Sequence, residues 1–243
     1  MRDTTGAGTA NAPGAHRHHT PTIPDRHVVG PRRADTTITL PPEVFDGRTP
    51  RRLDVGVDVD GPLYDFPAAV RAYLIGVEGT GRRMPEPTRW HFYRDWGLTD
   101  EQFSAVCHRG VDSGIVFRTG TPVPGSVEAV QQLMEDGHRV HLITDRAEWG
   151  SPGAAEQATR EWLAEHAVPF TTLTLSRDKT VVPTDVMVDD RTDHYEALEA
   201  AGTTAYLLDT VWNRHHDARR RVHDMSAFAR AVRACAANES DQT

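Results

Sequence analysis

Hydrophobic residues alternate with polar or small residues in the stretch RRLDVGVDVDGPL, which begins at Arg51. A period of two is typical of a β-strand, because successive side chains of a strand point to opposite faces. Gly61 and Pro62 follow, and both residue types commonly end a strand. The pattern therefore predicts a first strand, and its hydrophobic positions are Leu53, Val55, Val57 and Val59.

Helical periodicity follows this strand in three stretches, FPAAVRAYLIGVEG, LTDEQFSAVCHRGVD and PGSVEAVQQLMEDG. In the second stretch, Thr99 and Gln102 have the spacing of a capping box. In the third, we expect Ser126 to cap the helix and Gly137 to end it.

Strands and helices alternate in the second half of the chain. HRVHLIT, FTTLTL, DVMVDD and TAYLL have the short apolar pattern of strands, and AAEQATREWLAEHA, HYEALEAAG and MSAFARAVRACAA have the pattern of helices. Such an alternation predicts a parallel sheet that is covered on both faces. The consecutive arginines Arg219–Arg221 predict a solvated helical face.

A long insertion separates the first strand from this alternating series. It has about 60 residues of mostly helical pattern, which is too long for an ordinary crossover connection. We therefore predict an α/β fold with a Rossmann-like core, a parallel sheet and a small helical cap inserted after the first strand. The predicted core consists of residues 51–63 and 122–243, and the predicted cap consists of residues 64–121.

The N-terminal segment, residues 1–50, is rich in Gly, Pro, Thr, Ala, Arg and His and has few large apolar residues. Such a composition buries too little apolar surface to offset the entropy lost on ordering, so we expect a disordered tail. Its HRHH sequence, His16–His19, could bind a transition metal or belong to a solvated tail.

Composition and charge narrow the range of partners. The net charge is −8 at pH 7, which argues against a nucleic-acid binder, since such proteins present a basic face. No apolar run approaches the roughly 18 residues of a membrane span, and the N-terminus lacks the apolar segment of a signal peptide. Cys107 and Cys235 have no metal-ligand spacing and are expected to be structural or free thiols. We therefore expect a cytoplasmic protein without nucleic-acid or membrane partners, and the sequence leaves its oligomeric state open.

Acidic and hydroxyl side chains lie at the carboxyl ends of the predicted strands. In open α/β sheets, ligands bind beyond these ends. The residues in question are Asp58 and Asp60 after the first strand, Thr144 and Asp145 after the second, and Asp189 and Asp190 after the fourth.

The two acidic pairs predict a reactive site that binds a cation. Asp58 and Asp60 are two residues apart, so in an extended strand they point to one face with Cα atoms about 6.5 Å apart. Their mutual repulsion is relieved if a cation binds or if one of them stays protonated, and different protonation states allow one to be a nucleophile and the other an acid or base. With Asp189 and Asp190 they form an oxygen-rich cluster that suits Mg²⁺.

Four motifs in this order resemble those of the haloacid dehalogenase (HAD) superfamily of aspartate-nucleophile phosphohydrolases. They are VGVDVDGPL, VHLITDR, Lys179 and DVMVDDR, and together they cover the chain from about residue 53 to its end. Within the superfamily the chain is most similar to the 5'(3')-deoxyribonucleotidases, through DKTVVPTDVMVDDR and through the DxDGxLxDF pattern from Asp58 to Phe66.

The resemblance implies a catalytic role for four residues. Asp58 would attack phosphorus and form an aspartyl-phosphate, and Asp60 would protonate the leaving oxygen and later activate water. Thr144 would hydrogen-bond a phosphoryl oxygen. Lys179, the one lysine among 27 basic side chains, would neutralise Asp58 and the phosphoryl charge.

The resemblance also implies Mg²⁺ as the cofactor. Asp190 would bind Mg²⁺ directly, together with Asp58 and the backbone carbonyl of Asp60, and Asp189 would support the site. These four aspartates are the predicted metal residues.

Two departures from the pattern of these relatives concern the substrate. Pro62 follows DxDG, where a small or branched residue is usual, and it could stiffen the turn into the cap. After Thr144 the relatives commonly carry a second small residue, where this chain has DRAEWG. We therefore expect Asp145 and Arg146 to shape the phosphate or sugar pocket.

Aromatic residues are concentrated in the cap, in the stretch WHFYRDW. Aromatic rings can stack on a nucleobase, and the resemblance implies that Phe66 belongs to an aromatic pocket, so Phe66 and Trp90 are predicted to bind substrate. Alternatively, the rings of this stretch form the small core of the cap, because aromatic side chains dominate such cores.

Three functions remain open at this point. The favoured one is a Mg²⁺-dependent hydrolase of small phosphomonoesters, with (deoxy)nucleoside monophosphates as substrates. The second keeps the chemistry but acts on a sugar phosphate or on a nucleic-acid end, and the acidic charge speaks against the latter. The third is a non-catalytic HAD binding domain, which would typically have lost Asp58, Asp60 or Lys179, whereas all three are present.

Overall fold

Six parallel strands form one sheet in the computed structural model, which describes residues 51–238. The predicted disordered tail, residues 1–50, and its histidine cluster lie outside the described residues. The strands are β1 (Asp54–Val57), β2 (Arg139–Thr144), β3 (Thr172–Leu175), β4 (Val186–Asp189), β5 (Thr204–Leu208) and β6 (Arg221–Val222).

Helices connect these strands where the sequence predicts them. They are α1 (Phe66–Gly76), α2 (Asp100–Asp112), α3 (Ser126–Glu135), α4 (Ala154–Glu165), α5 (Thr192–Ala200) and α6 (Met225–Asn238), with short 3₁₀ helices at Phe92–Arg94 and Lys179–Val181. The capping box of α2 is confirmed, because Thr99 and Gln102 each accept a hydrogen bond from the other's backbone N–H.

Two details of the predicted elements are wrong. The N-cap of α3 is Gly125, whose φ of 76° suits a residue without Cβ, and Ser126 is the first residue of the helix. Arg221 is not on a helical face but starts β6, where its guanidinium donates hydrogen bonds to Asp209 and Asn213.

The strand order is β3-β2-β1-β4-β5-β6, and every neighbouring pair is parallel. The chain therefore moves outward in one direction from β1 to β3 and in the other direction from β4 to β6. The boundary between β1 and β4 is the topological switch point, where open α/β sheets bind their ligands. The predicted α/β class with a parallel sheet is confirmed.

Helices cover both faces of the sheet, as the strand side chains show. Along β4, Val186 and Val188 belong to the larger core cluster, whereas Met187 between them belongs to a second cluster with Tyr195 and Leu198 of α5. A strand buried on both faces needs a continuous apolar run rather than an alternation with polar residues. This requirement accounts for the sequence VMV at the centre of β4.

Residues 64–121, here called the inserted segment, lie between β1 and β2 and contain α1, α2 and one 3₁₀ helix. Rings of this segment pack on one another, with Phe92, Tyr93, Trp96 and Phe103 all at most 9% exposed. The stacking of Tyr93 on Phe103, with ring centroids 4.0 Å apart, is the closest of these contacts. The definition of this segment as a separate cap domain stays a prediction.

The chain enters the inserted segment near Tyr64 and leaves it near residues 117–120. Contacts join these two connections to each other. The backbone N–H of Phe117 donates to the hydroxyl oxygen of Tyr64 over 2.9 Å, and the Trp162 ring packs edge-on against Tyr64 at 5.2 Å. Trp162 Nε1 in turn donates to the carbonyl of Gly120. A Cβ on Gly120 would lie 2.3 Å from the Tyr64 ring, so the close approach requires glycine.

None of the helices within residues 51–238 has both the length and the apolar character that crossing a bilayer requires.

Candidate active site

The switch point brings three aspartates together. Asp58 directly follows β1, Asp189 ends β4 and Asp190 follows it, and the backbone N–H of Asp58 donates to the carbonyl of Val188. One carboxylate oxygen from each of the three lies within 4.8 Å of the other two, and all three residues are buried. The predicted proximity of the strand-end acids is therefore found for Asp58, Asp189 and Asp190.

Lys179 inserts its ammonium group into this cluster from the 3₁₀ helix between β3 and β4. Its Nζ donates to Asp58 Oδ1 over 2.7 Å and to the carbonyl of Ile143 over 2.6 Å, and it lies 3.9 Å from Asp189 Oδ2. The side chain is 1% exposed. Asp178 caps the short helix by accepting from the backbone of Thr180, which fixes where the lysine enters.

Burial dominates the electrostatics of the cluster. It raises the pKa of Asp58 to about 7, because Lys179 offsets only part of the desolvation and the neighbouring carboxylates Asp189 and Asp60 oppose ionisation. Desolvation and the carboxylates of Asp189, Asp58 and Asp60 raise the pKa of Asp190 well above its ordinary value. Burial alone would lower the pKa of Lys179, but the negative charges of Asp58 and Asp189 outweigh it and raise that pKa.

The donor set fits a divalent cation. Three carboxylates and one ammonium leave a formal charge of −3 + 1 = −2 when all are ionised. Asp190 Oδ1 is buried and has no hydrogen-bond partner, and such an oxygen is expected to have a ligand. Gly61 (φ 99°) makes room for this carboxylate, since a Cβ there would lie 2.7 Å from Asp190 Oδ2. Hard cations with oxygen ligands match this arrangement.

Asp189 differs from its neighbours because protein donors already hold it. Its Oδ1 accepts from the backbone N–H of Arg191 over 2.8 Å, and its Oδ2 lies 2.9 Å from Nδ1 of His194. The carboxylate is therefore fixed in orientation beside Lys179, and its supporting role at the metal site stays a prediction.

Asp60 lines the same cavity as Asp58, but it is not one of the three acids whose carboxylate oxygens lie within 4.8 Å of one another. The strand ends at Val57, and the turn that follows directs Asp60 toward Arg146. Arg146 donates from Nε and Nη2 to the two oxygens of Asp60 over 2.8 and 2.6 Å, and Thr144 Oγ1 lies 3.4 Å from Asp60 Oδ2. A metal contact through the backbone carbonyl of Asp60 stays a prediction.

A cavity of about 460 Å³ opens above these residues. Its floor includes Asp58, Asp60, Lys179 and Asp190, and its walls combine aromatic side chains with charged ones. The lining also includes Phe66, Trp90, His91, Phe92, Tyr93, Phe103, Phe117, Asp145, Glu148, Trp149, Arg177, Arg191, His194 and Trp212. The volume suits a small organic phosphate.

Three of the four predicted substrate-binding residues line the cavity, and the fourth does not. Phe66, Trp90 and Asp145 line the cavity. Arg146 does not, because its side chain is completely buried and paired with Asp60, so the prediction that it shapes the pocket as a substrate-binding residue is corrected. The bulky side chain occupies the space between the two connections of the inserted segment instead of projecting into the pocket.

The aromatic residues of the stretch WHFYRDW do not share one role: some form the core of the inserted segment, and one is available to substrate. Trp96 is 2% exposed and packs on Phe92 at 4.8 Å, as expected of a core residue. Trp90 is 44% exposed and lines the cavity, where its ring faces the Arg191 guanidinium at 5.1 Å and Trp212 at 6.2 Å. Trp90 is thus available to a ligand.

Sequence reasoning missed several residues that line the cavity. Arg191 follows the second acidic pair directly, and its Nη1 lies 3.6 Å from Asp145 Oδ2. Arg177 precedes Lys179 by two residues, and His194 lies on the first turn of α5. Adjacency to the motifs was the available signal for Arg177 and Arg191, whereas Trp212 lies in a loop outside the four motifs.

Comparison with known proteins gives a match over most of the chain. The family described as "5' nucleotidase, deoxy (Pyrimidine), cytosolic type C protein" matches residues 51–235. This range includes every residue of the site described above.

Individual relatives are similar over most of their own length. The chain is 29% identical over 166 residues to a Chlorobaculum tepidum protein assigned as a 5'(3')-deoxyribonucleotidase, covering 66% of this chain and 81% of the relative. It is 27% identical over 177 residues to the cytosolic-type 5'(3')-deoxyribonucleotidase of Homo sapiens, covering 68% and 84%. The predicted resemblance to these nucleotidases is confirmed.

A solved structure shares the fold. A Thermotoga maritima protein described as a β-phosphoglucomutase superposes with a TM-score of 0.50 at 16% identity, covering 74% of this chain and 98% of that one. At this identity the similarity concerns the fold alone.

The acidic cluster predicts a metal-dependent gain in stability. Mg²⁺ at about 100 times its Kd should stabilise the parent protein by about 2.7 kcal/mol, which is about 5–10 °C in Tm for a domain of this size. Asp190→Asn should abolish the shift, because it removes the negative charge and replaces one carboxylate oxygen by an NH2 group, which cannot bind a cation. The measurement is thermal unfolding by circular dichroism with and without Mg²⁺.

Asp193→Asn is the matched control, since Asp193 is an exposed aspartate of α5 outside the cluster. This variant should keep the full shift. A parent protein that Mg²⁺ does not stabilise, or an equal shift in Asp190→Asn, would contradict the metal site.

Proposed function

We propose that this chain, which belongs to the cytosolic type C family of 5' nucleotidases, hydrolyses (deoxy)nucleoside monophosphates through an aspartyl-phosphate intermediate with Mg²⁺ as cofactor. The observation that supports this most directly is the buried contact between Lys179 Nζ and Asp58 Oδ1 at the floor of the cavity. A lysine that fixes one oxygen of a buried carboxylate leaves the other oxygen available for attack.

In the first half of the reaction, Asp58 acts as the nucleophile. An oxygen of its carboxylate forms a bond to phosphorus while the bond from phosphorus to the ester oxygen breaks. That oxygen receives a proton from Asp60 and leaves as the nucleoside hydroxyl. Covalent catalysis of this kind divides one difficult displacement into two easier steps.

In the second half, Asp60 acts as the base. It accepts a proton from a water molecule, whose oxygen bonds to phosphorus while the bond from phosphorus to Asp58 breaks. Inorganic phosphate leaves, and both carboxyl groups return to their starting states. One residue serves as acid and then as base because the two half-reactions are chemically the reverse of each other.

Charge neutralisation is the main contribution of the surrounding residues. The Lys179 ammonium lies where it can offset the charge of Asp58 and of the phosphoryl oxygens. The Thr144 hydroxyl, which donates to Asp60 Oδ2 in this structure, would turn to one of those oxygens when the substrate binds. Asp58 and Asp190 would hold Mg²⁺, which when bound supplies further positive charge to the phosphoryl group.

The cavity walls support a nucleoside as the organic part of the substrate. Trp90 and Phe66 offer aromatic faces near the reactive carboxylates, and aromatic faces stack on any base. The human relative is named as the cytosolic type, and we propose a cytoplasmic location for this chain as well.

The proposal is tested by screening substrates with the parent protein and with a variant that lacks the proposed nucleophile. We expect release of phosphate from nucleoside monophosphates in the presence of Mg²⁺ and a strong reduction on its removal by chelation. Asp58→Asn should abolish turnover while the melting temperature stays near that of the parent, because an amide has the shape of a carboxylate but is a poor nucleophile.

Asp185→Asn is the control, since Asp185 lies just before the opposite end of β4 and accepts from the backbone of Asp54. It should retain turnover. Near-normal activity of Asp58→Asn would refute the covalent mechanism, and a parent without activity on any phosphomonoester would refute the function.

The exposed tryptophan predicts how the base is bound. Trp90→Ala should raise KM for nucleoside monophosphates at least about fivefold, because base stacking contributes about 1–3 kcal/mol. Hydrolysis of a small aryl phosphate, which has no base to stack, should change much less. Steady-state kinetics on both substrates checks this.

Trp96→Phe provides the comparison, since Trp96 is buried in the inserted segment. It should lower stability without favouring one substrate. Equal losses on both substrates in Trp90→Ala would assign Trp90 to packing alone.

A further inference from the structure

Arg146 is a fully buried arginine that is not positioned to contact a ligand in the cavity. Its side chain is 0% exposed, and it does not line the cavity. Burial of a guanidinium is strongly unfavourable unless its donors are paired. Here Nε and Nη2 donate to the two oxygens of Asp60, and Nη1 donates to Thr159 Oγ1 over 2.9 Å.

Two aromatic rings hold the guanidinium in place. Its central carbon lies 4.0 Å from the ring centroid of Phe117 and 4.7 Å from that of Tyr64. These distances are typical of cation–π contacts, which become stronger when the groups are desolvated. The backbone N–H of Phe117 donates to the Tyr64 hydroxyl, and these two residues belong to the two connections of the inserted segment. Both rings that contact the guanidinium are therefore held in place.

The two hydrogen bonds from Arg146 fix both the position and the orientation of the Asp60 carboxylate. A bidentate arginine sets both the position and the plane of a carboxylate, which a single donor cannot do. A carboxylate has about four lone-pair sites. Arg146 uses one on each oxygen and the Thr144 hydroxyl uses a second one on Oδ2, so one site on Oδ1 remains for the proton that passes to the leaving oxygen. Asp60 itself is 26% exposed at its side chain and lines the cavity.

We propose that Arg146 is a positioning residue that orients the Asp60 carboxyl group toward the leaving oxygen of the substrate. This inference rests on the proposed function, in which Asp60 transfers the proton. Tyr64, Phe117 and Thr159 hold the guanidinium, and the guanidinium holds Asp60. Arg146 thus acts on the proton transfer and not on substrate affinity.

The dependence on the leaving group distinguishes this role from a structural one. A nucleoside oxygen needs a proton to leave, whereas a 2,4-dinitrophenolate leaves without one. Because kcat/KM includes steps only up to the first irreversible one, it reports the expulsion of the leaving group. General acid catalysis contributes about 10²–10⁴-fold to such a step.

The experiment measures kcat/KM of Arg146→Met on a nucleoside monophosphate and on 2,4-dinitrophenyl phosphate. We expect a loss of about 10²-fold on the nucleotide and of less than about fivefold on the aryl phosphate. Asp60→Asn should show the same selectivity, and the double variant should lose little more than Asp60→Asn alone, because both act on one proton transfer.

Arg146→Lys covers the case in which the methionine variant does not fold. Its ammonium keeps the charge but cannot hold both oxygens, so the loss should again be selective for the nucleotide. Trp162→Phe is the packing control, because Trp162 contacts Tyr64 but not Asp60. It should affect the two substrates equally.

Equal losses on both substrates in the Arg146 variants, or nucleotide activity within about threefold of the parent, would overturn the inference. An inactive parent protein would instead contradict the proposed function. The two failures are therefore distinguishable in one set of measurements.

Discussion

The structure of the site depends on one buried ion pair, between the ammonium of Lys179 and the carboxylate of Asp58. Three carboxylates share this buried position, and the lysine compensates only one of them. Uncompensated buried charge is strongly unfavourable, and it is expressed here as the raised pKa values of Asp58 and Asp190. The remaining charge and the partnerless oxygen of Asp190 favour binding of a cation and then of a phosphoryl group beside it. The strand ends, the glycine after Asp60 and the short helix of Lys179 all serve to assemble this cluster.

The two aspartates of the DxD motif, Asp58 and Asp60, pair with different basic residues. The compact ammonium of Lys179 reaches Asp58 and the carbonyl of Ile143 together. The planar guanidinium of Arg146 instead binds both oxygens of Asp60 between two aromatic rings. Side chains two residues apart thereby acquire different surroundings, and different surroundings are what allow two carboxyl groups to have different roles.

The sequence predicted the framework of the fold and the position of the reactive cluster because both follow from local patterns. The period-two run before Asp58 and the VMV run before Asp189 mark strands, and acids at their ends must meet if the strands are neighbours. What failed depends on contacts that are distant in sequence. Arg221 pairs in β6 with Asp209 and Asn213, which no periodicity shows. Arg146 follows a strand end like a pocket residue, yet its side chain turns toward Phe117 of the inserted segment.

We propose that the site requires a compact ammonium at position 179, and the substitution Lys179→Arg tests this requirement. The substitution keeps the charge but introduces a wide fork where Nζ has contacts at 2.7 and 2.6 Å and 1% exposure. Steady-state kinetics on a nucleoside monophosphate, beside thermal melts of both proteins, is the measurement. We expect kcat to fall by about 10²-fold or more, which is the scale of removing one preorganised electrostatic donor, with little change in stability. An arginine variant within about threefold of the parent would show that charge alone suffices and would contradict this requirement.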